Sequence, residues 1–478
     1  MEFKDVKELL PHREPFLFVD KLVEVSDKKI VGIRKYTDSD FFFQGHFPGY
    51  PVVPGVILVE SMAQCGGAGV AQSGILGDKL FFLATVDKAK FQPKIIGGVC
   101  LTAHPGGLKK SLDKQIAYVK SQPPIDMPKR VLVLGGSNGY GLATRIAAAF
   151  GGGAGTLNVS LERAPTERKP ASPGWYNNKY FDEAARKAGL TAESINADVF
   201  SHETRKEVIG KIKELFGAVD LVVYSIASPV RTDPDTGEQY RSVLKPLGKT
   251  YTAKSVDFLK GTVDTASVKP AEGEEEATTV KVMGGADWML WVKALKEAGV
   301  LAPAAKTVAY SYIGPEITFA VYRDGTIGSA KKHLEKTAVE LNQFLSADGG
   351  EAFVSVNKAV VTRASSVIPV VPLYISLLYM VMKEKGIHEG CIEQMQRMLS
   401  QKIYGSGGTV RDAEGLVRLD DWEMREDVQS EVSARWDSVT TENLEQKTDI
   451  AGFRQDFMRM HGFDWDGIDY NAEVDTLG

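Results

Sequence analysis

Cysteine is scarce in this chain. Cys65, Cys100 and Cys391 are the only three in 478 residues and stand far apart, which excludes a disulfide framework and a Cys-x-x-Cys metal site. Histidine is also sparse, and His104, His202, His333, His388 and His461 show no metal-ligand spacing, so no metal is expected. Basic residues are not in surplus: 57 Lys and Arg face 62 Asp and Glu, a net charge of −5. That balance cannot neutralise a run of phosphates, so nucleic acid is excluded as a general partner and an acidic partner would need a local patch. Long apolar runs are missing too. The greasiest stretch, 367–382, is short for a bilayer span and carries Pro369, Pro372 and Ser376, so a buried loop and helix is expected and no integral membrane segment. The charged opening MEFKDVKELLPHREPF lacks the apolar core of a signal peptide, and a reducing cytoplasm is the expected compartment.

What is present is an ordinary globular composition, 43% hydrophobic and 25% charged, over a length that allows two or three domains. Two local patterns carry chemistry. The first is Gly135, Gly136, Ser137, Asn138, Gly139, Tyr140 and Gly141, lying between a short apolar strand, Val131 to Leu134, and a helix over 140–150 with Leu142, Ile146 and Phe150 on one face. Such a turn lets the backbone approach a pyrophosphate, with the helix N–H groups and dipole favouring the anion. Glycine turns also serve tight packing, but a strand before and a helix after favour a dinucleotide. The next strand, Thr156 to Leu161, ends in Glu162, whose carboxylate can accept from ribose hydroxyls and repel an added 2′-phosphate. NADH is therefore expected over NADPH, with Arg163 and Arg168 near enough to soften the preference. A solvated strand-end acid is the plainer reading of Glu162. The stretches 194–199 and 220–227 read as third and fourth strands of a doubly wound parallel sheet, and 232–285 as a small insertion with short strands.

The second pattern is Tyr310-Ser-Tyr312 followed by Tyr322, eight residues, and Lys331. In the enoyl thioester reductases whose Tyr-x8-Lys pattern this spacing resembles, hydride arriving at the β-carbon pushes charge onto the carbonyl oxygen. Such a site needs a donor at that oxygen and a proton for the α-carbon. Tyr322 can supply them, a Lys331 ammonium favours the developing tyrosinate and can hold the cofactor ribose, and Tyr312 orients the carbonyl. Gly325 and Gly328 imply a turn before a helix, unlike a Tyr-x-x-x-Lys pair on one helical face.

Two resemblances extend these readings. Leu10-Pro-His-Arg, Phe16 to Asp20, His46-Phe-Pro-Gly-Tyr-Pro-Val-Val-Pro-Gly55 running to Glu60 and Gln64, and Phe82 to Phe91 resemble the hot-dog 3-hydroxyacyl-[acyl-carrier-protein] dehydratases. That resemblance implies His46 and Glu60 as an acid–base pair acting on the α-proton and the 3-hydroxyl. The later strands of that fold are replaced by other sequence, so a partial hot-dog α+β segment is expected over 1–90. From about residue 91 to the end the chain resembles NADH-dependent trans-2-enoyl-CoA and enoyl-[acyl-carrier-protein] reductases of the Tyr-x8-Lys type. The matching stretches include 93–105, 131–143, 169–177, 224–236 and 419–427.

This second resemblance implies a Rossmann-like α/β reductase over 91–478. It places Asp198 and Val199 at the adenine end, Ile226 and Ala227 in the cofactor groove, and Val360, Val361 and Thr362 in a later cofactor and substrate wall. An acyl-CoA or acyl carrier protein thioester is the implied substrate, reduced in fatty acid biosynthesis. The alternative is a bifunctional dehydratase and enoyl reductase. By resemblance hot-dog domains pair, whereas such reductases can act as monomers.

Overall fold

The apolar run Arg130–Leu134 has no polar alternation because both its faces are covered: Val131 and Val133 enter one buried cluster and Leu132 and Leu134 another. The same division holds along Val219–Tyr224, where Leu221 and Val223 face one way and Val222 and Tyr224 the other. Each such side chain, fully withdrawn from water, contributes about 1.5–3 kcal/mol of transfer free energy.

The computed structural model describes residues 3–26, 29–46, 52–74, 93, 95–96, 99–166, 169–363, 365–470, 472 and 474–475. The Phe82 to Phe91 motif, residues 47–51 of the His46 motif and Arg168 lie outside these. The chain divides into two units, residues 1–89 and 90–478.

In the first unit, β1 (Lys21–Val25) pairs antiparallel with β2 (Ile30–Ile33), and helix α1 (Gly55–Gln72) packs on both. The buried side chains Val6, Leu10, Leu17, Val19, Leu22 and Ala68 make its small core. Val56 and Met62, on α1, are exposed.

The second unit is built on seven parallel strands. In chain order they are β3 (Arg130–Leu134), β4 (Gly155–Ser160), β5 (Ala192–Asn196), β6 (Val219–Tyr224), β7 (Leu301–Ser311), β8 (Glu351–Val356) and β9 (Val417–Arg418). Their order across the sheet is β9-β8-β7-β6-β3-β4-β5, every pairing parallel, so the winding reverses between β3 and β6. Helix α2 (Gly139–Ile146) follows β3, and α3 (Pro173–Lys187) follows β4; both pack on the face that holds Val131 and Val133. Helices α4 (Ala286–Glu297) and α5 (Thr326–Leu345) cover the other face with Trp288, Trp291, Leu334 and Leu341. A third apolar cluster joins α6 (Val371–Glu384), α7 (Glu426–Ser438) and α8 (Ile450–Arg459) to Val256 and Phe258 of the insertion. The expected doubly wound sheet is therefore present.

Details differ from expectation. The 156–161 strand stops at Ser160, leaving Leu161 71% exposed, because the chain there turns out of the sheet. The 140–150 helix loosens into a π-turn at Ala147–Gly151, since the ladder shifts to wider bonds there. The insertion forms hairpins, including Tyr251–Asp257 paired with Thr262–Val268, but its last part, Glu275–Met283, is helix. Gly328 sits inside α5 rather than before it, where a Cβ would come within 2.0 Å of the Arg323 carbonyl oxygen. The 367–382 stretch is the buried loop and helix anticipated, and no helix among the described residues is long and apolar enough to cross a membrane.

Candidate functional site

The residues expected to bind cofactor or substrate follow the carboxyl ends of six neighbouring parallel strands: 135–140 after β3, 161–162 after β4, 198–199 after β5, 226–227 after β6, Tyr312 after β7 and 360–362 after β8. In a parallel sheet all these ends lie along one edge, which is where doubly wound folds bind ligands.

At the centre, Gly135 takes φ +89°, and a Cβ on it would lie 2.2 Å from the Ser225 carbonyl oxygen; only glycine fits between β3 and β6. Gly136 N–H donates to Asn158 Oδ1 at 2.7 Å, tying the turn to β4. Gly139 opens α2 at φ +52°, and a Cβ there would project into open space. Asn138 caps α2 without a side-chain bond to its first turn, so those N–H groups have no side-chain acceptor. Bare first-turn amides, a glycine surface and the positive end of a helix fit the pyrophosphate of a dinucleotide.

Glu162, after β4, is hydrogen-bonded to the same turn. Its Oε1 accepts from Ser137 Oγ at 2.7 Å and Asn138 Nδ2 at 3.2 Å, while Oε2 accepts from Ser172 Oγ. Its backbone is held by Asn196 on both sides, at 2.7 and 2.9 Å. Asp198 is exposed, and its carboxylate accepts from Phe200 N–H at 3.0 Å. The Val199 side chain is instead buried in the core, with its carbonyl taking the Trp291 indole N–H at 3.0 Å. Ile226 reaches the glycine turn, its Cδ1 lying 3.0 Å from where a Cβ of Gly135 would be, and Ala227 is exposed beside it. Val360 is buried, Val361 N–H donates to the Tyr379 hydroxyl at 3.2 Å, and Thr362 N–H donates to Ser365 Oγ at 2.8 Å.

The chemical residues adjoin this edge. Tyr140 of the glycine turn meets Tyr310 edge to face at 6.1 Å, and Lys331 Nζ donates to the Tyr310 carbonyl at 3.0 Å. Burial lowers the Lys331 ammonium to about 8. Tyr322 and Tyr312 are T-shaped, ring centroids 4.7 Å apart at 84°. Burial raises the Tyr322 phenol well above its ordinary range, so it is protonated at neutral pH. The structure thus brings Tyr322 to Tyr312, and Lys331 to Tyr310 at the end of the strand that precedes Tyr312.

Two further residues were given no role by the sequence, although Glu423 lies within the matching stretch 419–427. Glu423, fully buried, accepts from the Tyr374 hydroxyl at 2.6 Å and the Tyr312 hydroxyl at 3.1 Å. Lys358, also buried, donates from Nζ to the Ala359 carbonyl at 2.8 Å, and its own carbonyl accepts from the Tyr140 hydroxyl. Glu423 lies 111 residues from Tyr312, a separation at which no sequence period operates.

In the first unit, Glu60 lies on α1 as anticipated, but its carboxylate is 3.8 Å from His12 Nε2 and accepts from Gln64 Nε2 at 2.9 Å. His46 Nδ1 is 2.8 Å from the Val52 carbonyl oxygen.

Known proteins carry the same architecture. The chain is 54% identical over 386 residues to the enoyl-[acyl-carrier-protein] reductase [NADH] of Flavobacterium johnsoniae, spanning 81% of this chain and 98% of that protein. It belongs to the trans-2-enoyl-CoA and enoyl-[acyl-carrier-protein] reductase family. Family models described as the trans-2-enoyl-CoA reductase catalytic region and its NAD(P)H binding domain match residues 169–404 and 90–167. The crystal structure of Treponema denticola trans-2-enoyl-CoA reductase in complex with NAD superposes at TM-score 0.78 with 53% identity, covering 81% of this chain and 98% of that one. The Clostridium acetobutulicum enzyme in complex with NADH superposes at 0.79 with 45% identity and the same coverage. A FabA-like domain model matches residues 10–102.

A third model of this reductase family, described as an enoyl reductase FAD binding domain, matches residues 411–474. The residues there do not fit a flavin dinucleotide. Both long helices of the segment begin with acids, Glu426 and Asp427 on α7 and the capping Asp449 on α8, and Asp420 and Glu423 are buried carboxylates. A diphosphate would be repelled by that set. The apolar side chains Val428, Val432, Phe453 and Phe457 are spent packing on α6.

Proposed function

We propose that this chain reduces the trans-2 double bond of enoyl thioesters with NADH, in fatty acid biosynthesis, and that Tyr322 and Lys331 carry the chemistry. The observation that supports this reading is that Tyr312, which packs on Tyr322, and Tyr310, whose carbonyl takes Lys331 Nζ, lie at the carboxyl end of β7, in the same row of strand ends as the glycine turn and Glu162.

NADH, when bound, supplies the hydride. The first-turn amides of α2 hold its diphosphate, and Glu162, aimed by Ser137, Asn138 and Ser172, accepts from the adenosine ribose and disfavours a 2′-phosphate. Asp198, Ile226, Ala227 and Val360 to Thr362 line the rest of the groove. The buried Val199 side chain leaves its backbone as the part able to meet the adenine.

Tyr322, held protonated by burial, donates to the thioester carbonyl oxygen as charge develops there and furnishes the proton for the α-carbon. Lys331, charged below about pH 8, stabilises the tyrosinate that results. The acyl chain runs along the apolar cluster around α6, which contains Tyr312, Ile317 and Val361 beside Tyr322.

The acyl group is carried on acyl carrier protein or CoA. A second reading, dehydration of 3-hydroxyacyl thioesters by the first unit, is favoured by the FabA-like match and by the Glu60 carboxylate lying 3.8 Å from His12 Nε2. One trace tests both readings. NADH absorbance is followed while (3R)-3-hydroxybutyryl-CoA and then crotonyl-CoA are added. Oxidation on the second addition is expected; oxidation on the first reveals a working dehydratase, and none on either counts against reduction of short acyl-CoA substrates.

A further inference from the structure

Glu423 stands between the last strand of the sheet and α7, outside the segment matched by the catalytic-region model. Its carboxylate nonetheless accepts three hydrogen bonds. Oε1 takes the Tyr374 and Tyr312 hydroxyls at 2.6 and 3.1 Å, and Oε2 takes the Ala359 N–H at 2.7 Å. Gln429 locks the arrangement, its Nε2 donating to the Tyr374 hydroxyl at 3.2 Å and to the Glu423 carbonyl at 2.7 Å. Burial raises the Glu423 carboxyl above its ordinary value, opposed by the buried Lys358 ammonium, the Tyr374 hydroxyl and the Ala359 amide, each of which favours the ionised form.

An ionised carboxylate only accepts, and a phenol has one proton to give. With Tyr312 donating to Glu423, its oxygen can meet the substrate side only as an acceptor. The hydrogen bonds of the described residues leave the neighbouring Tyr322 hydroxyl uncommitted, so the two tyrosines, packed edge to face, differ in kind.

We propose that Glu423 is a positioning residue of the reductase: by taking the Tyr312 proton it makes Tyr312 an acceptor and leaves Tyr322 as the single phenolic donor to the thioester. The assignment rests on the reduction reading above. It also gives the 411–474 segment a part in that reaction without a flavin. Through Ala359 the same carboxylate steadies the backbone leading into Val360 to Thr362, so one group sets both the substrate side and the cofactor wall.

The test is a double-mutant cycle on the full chain, with crotonyl-CoA and NADH as substrates. Glu423→Gln puts an N–H₂ where an acceptor stood, which either opposes the Ala359 N–H donor to donor or makes both tyrosines reverse their hydrogen bonds. It should lower kcat about 10- to 100-fold, as misplacement of about 1 Å does, with the KM for NADH within about twofold. In the Tyr312→Phe background the same change should cost less than about threefold, because the hydroxyl that Glu423 aims is gone. An equal cost in both backgrounds, or no cost in the parent, overturns the assignment. If Glu423→Gln does not fold, Tyr374→Phe replaces it, since Tyr312 and Ala359 still hold the carboxylate. A kcat loss of about threefold confined to the chain that retains Tyr312 supports the proposal, and an equal loss in both overturns it. A parent chain that fails to oxidise NADH with crotonyl-CoA or crotonyl-[acyl-carrier-protein] removes the reduction reading itself, and this assignment with it, before any variant is compared.

Discussion

In residues 90–478 the motif residues stand at the ends of six neighbouring strands, covered on both faces, and the turn between β3 and α2 is tied to β4 through Asn158 and to β6 by the close approach of Gly135 and Ser225. In residues 1–89 the described sheet has two strands, and Glu60 of the motif is engaged by His12 and Gln64. Both regions carry motifs that are plain in the sequence, yet one has a scaffold around its motif and the other a small core with Val56 and Met62 of its helix in solvent. Motif residues mark descent; the strands and helices around them decide what they can do. A polar pair needs walls that fix its geometry and exclude water before its groups act as acid and base.

The largest effect that could break this contrast is on Tyr322. Tyr322→Phe should lower kcat for crotonyl-CoA about 1,000-fold, within the range for removing a positioned general acid, while NADH still binds with its usual fluorescence change. Undiminished turnover would move the chemistry away from the strand ends.

Next is the pH profile. Burial brings Lys331 down to about 8, so its ammonium is present below that pH and lost as pH rises through it. The rate should fall above pH 8, approaching tenfold per unit if the charge is essential, and Lys331→Met should remove the dependence along with most of the activity. A wild-type profile flat to pH 9.5 would deny the lysine that role.

A smaller change is expected at Glu162. Glu162→Ala should narrow the ratio of kcat/KM with NADH to that with NADPH by about tenfold, the worth of about 1.4 kcal/mol. An unchanged ratio would assign the ribose to another group.

The smallest effect sharpens the comparison from the other side. His46→Ala and Glu60→Gln should leave crotonyl-CoA reduction within about twofold of the parent. If the parent oxidises NADH after (3R)-3-hydroxybutyryl-CoA and these variants do not, the first unit is a working site and the contrast fails.

Most of the fold was legible because parallel strands covered on both faces read as short apolar runs, and because a glycine turn between strand and helix has few alternatives. Glu162 and Tyr322 were legible for the same local reason, being placed by a strand end and by a flanking motif. The exposure of Leu161 and the burial of Val199 were not, since a strand end can turn either way and neighbouring packing chooses.

By itself the sequence determined the first four strands of the sheet, the glycine turn and the helix after it, the Tyr-x8-Lys pair and the kinship of both units, all of which rest on neighbours a few residues apart. Only the tertiary structure decided which groups face those residues: Glu60 with His12 instead of a preformed contact to His46, Lys331 on the Tyr310 carbonyl, and Glu423 on Tyr312. The physical reason is that a hydrogen bond acts over about 3 Å whatever the separation along the chain, so partners 111 residues apart leave no periodic trace in composition or pattern.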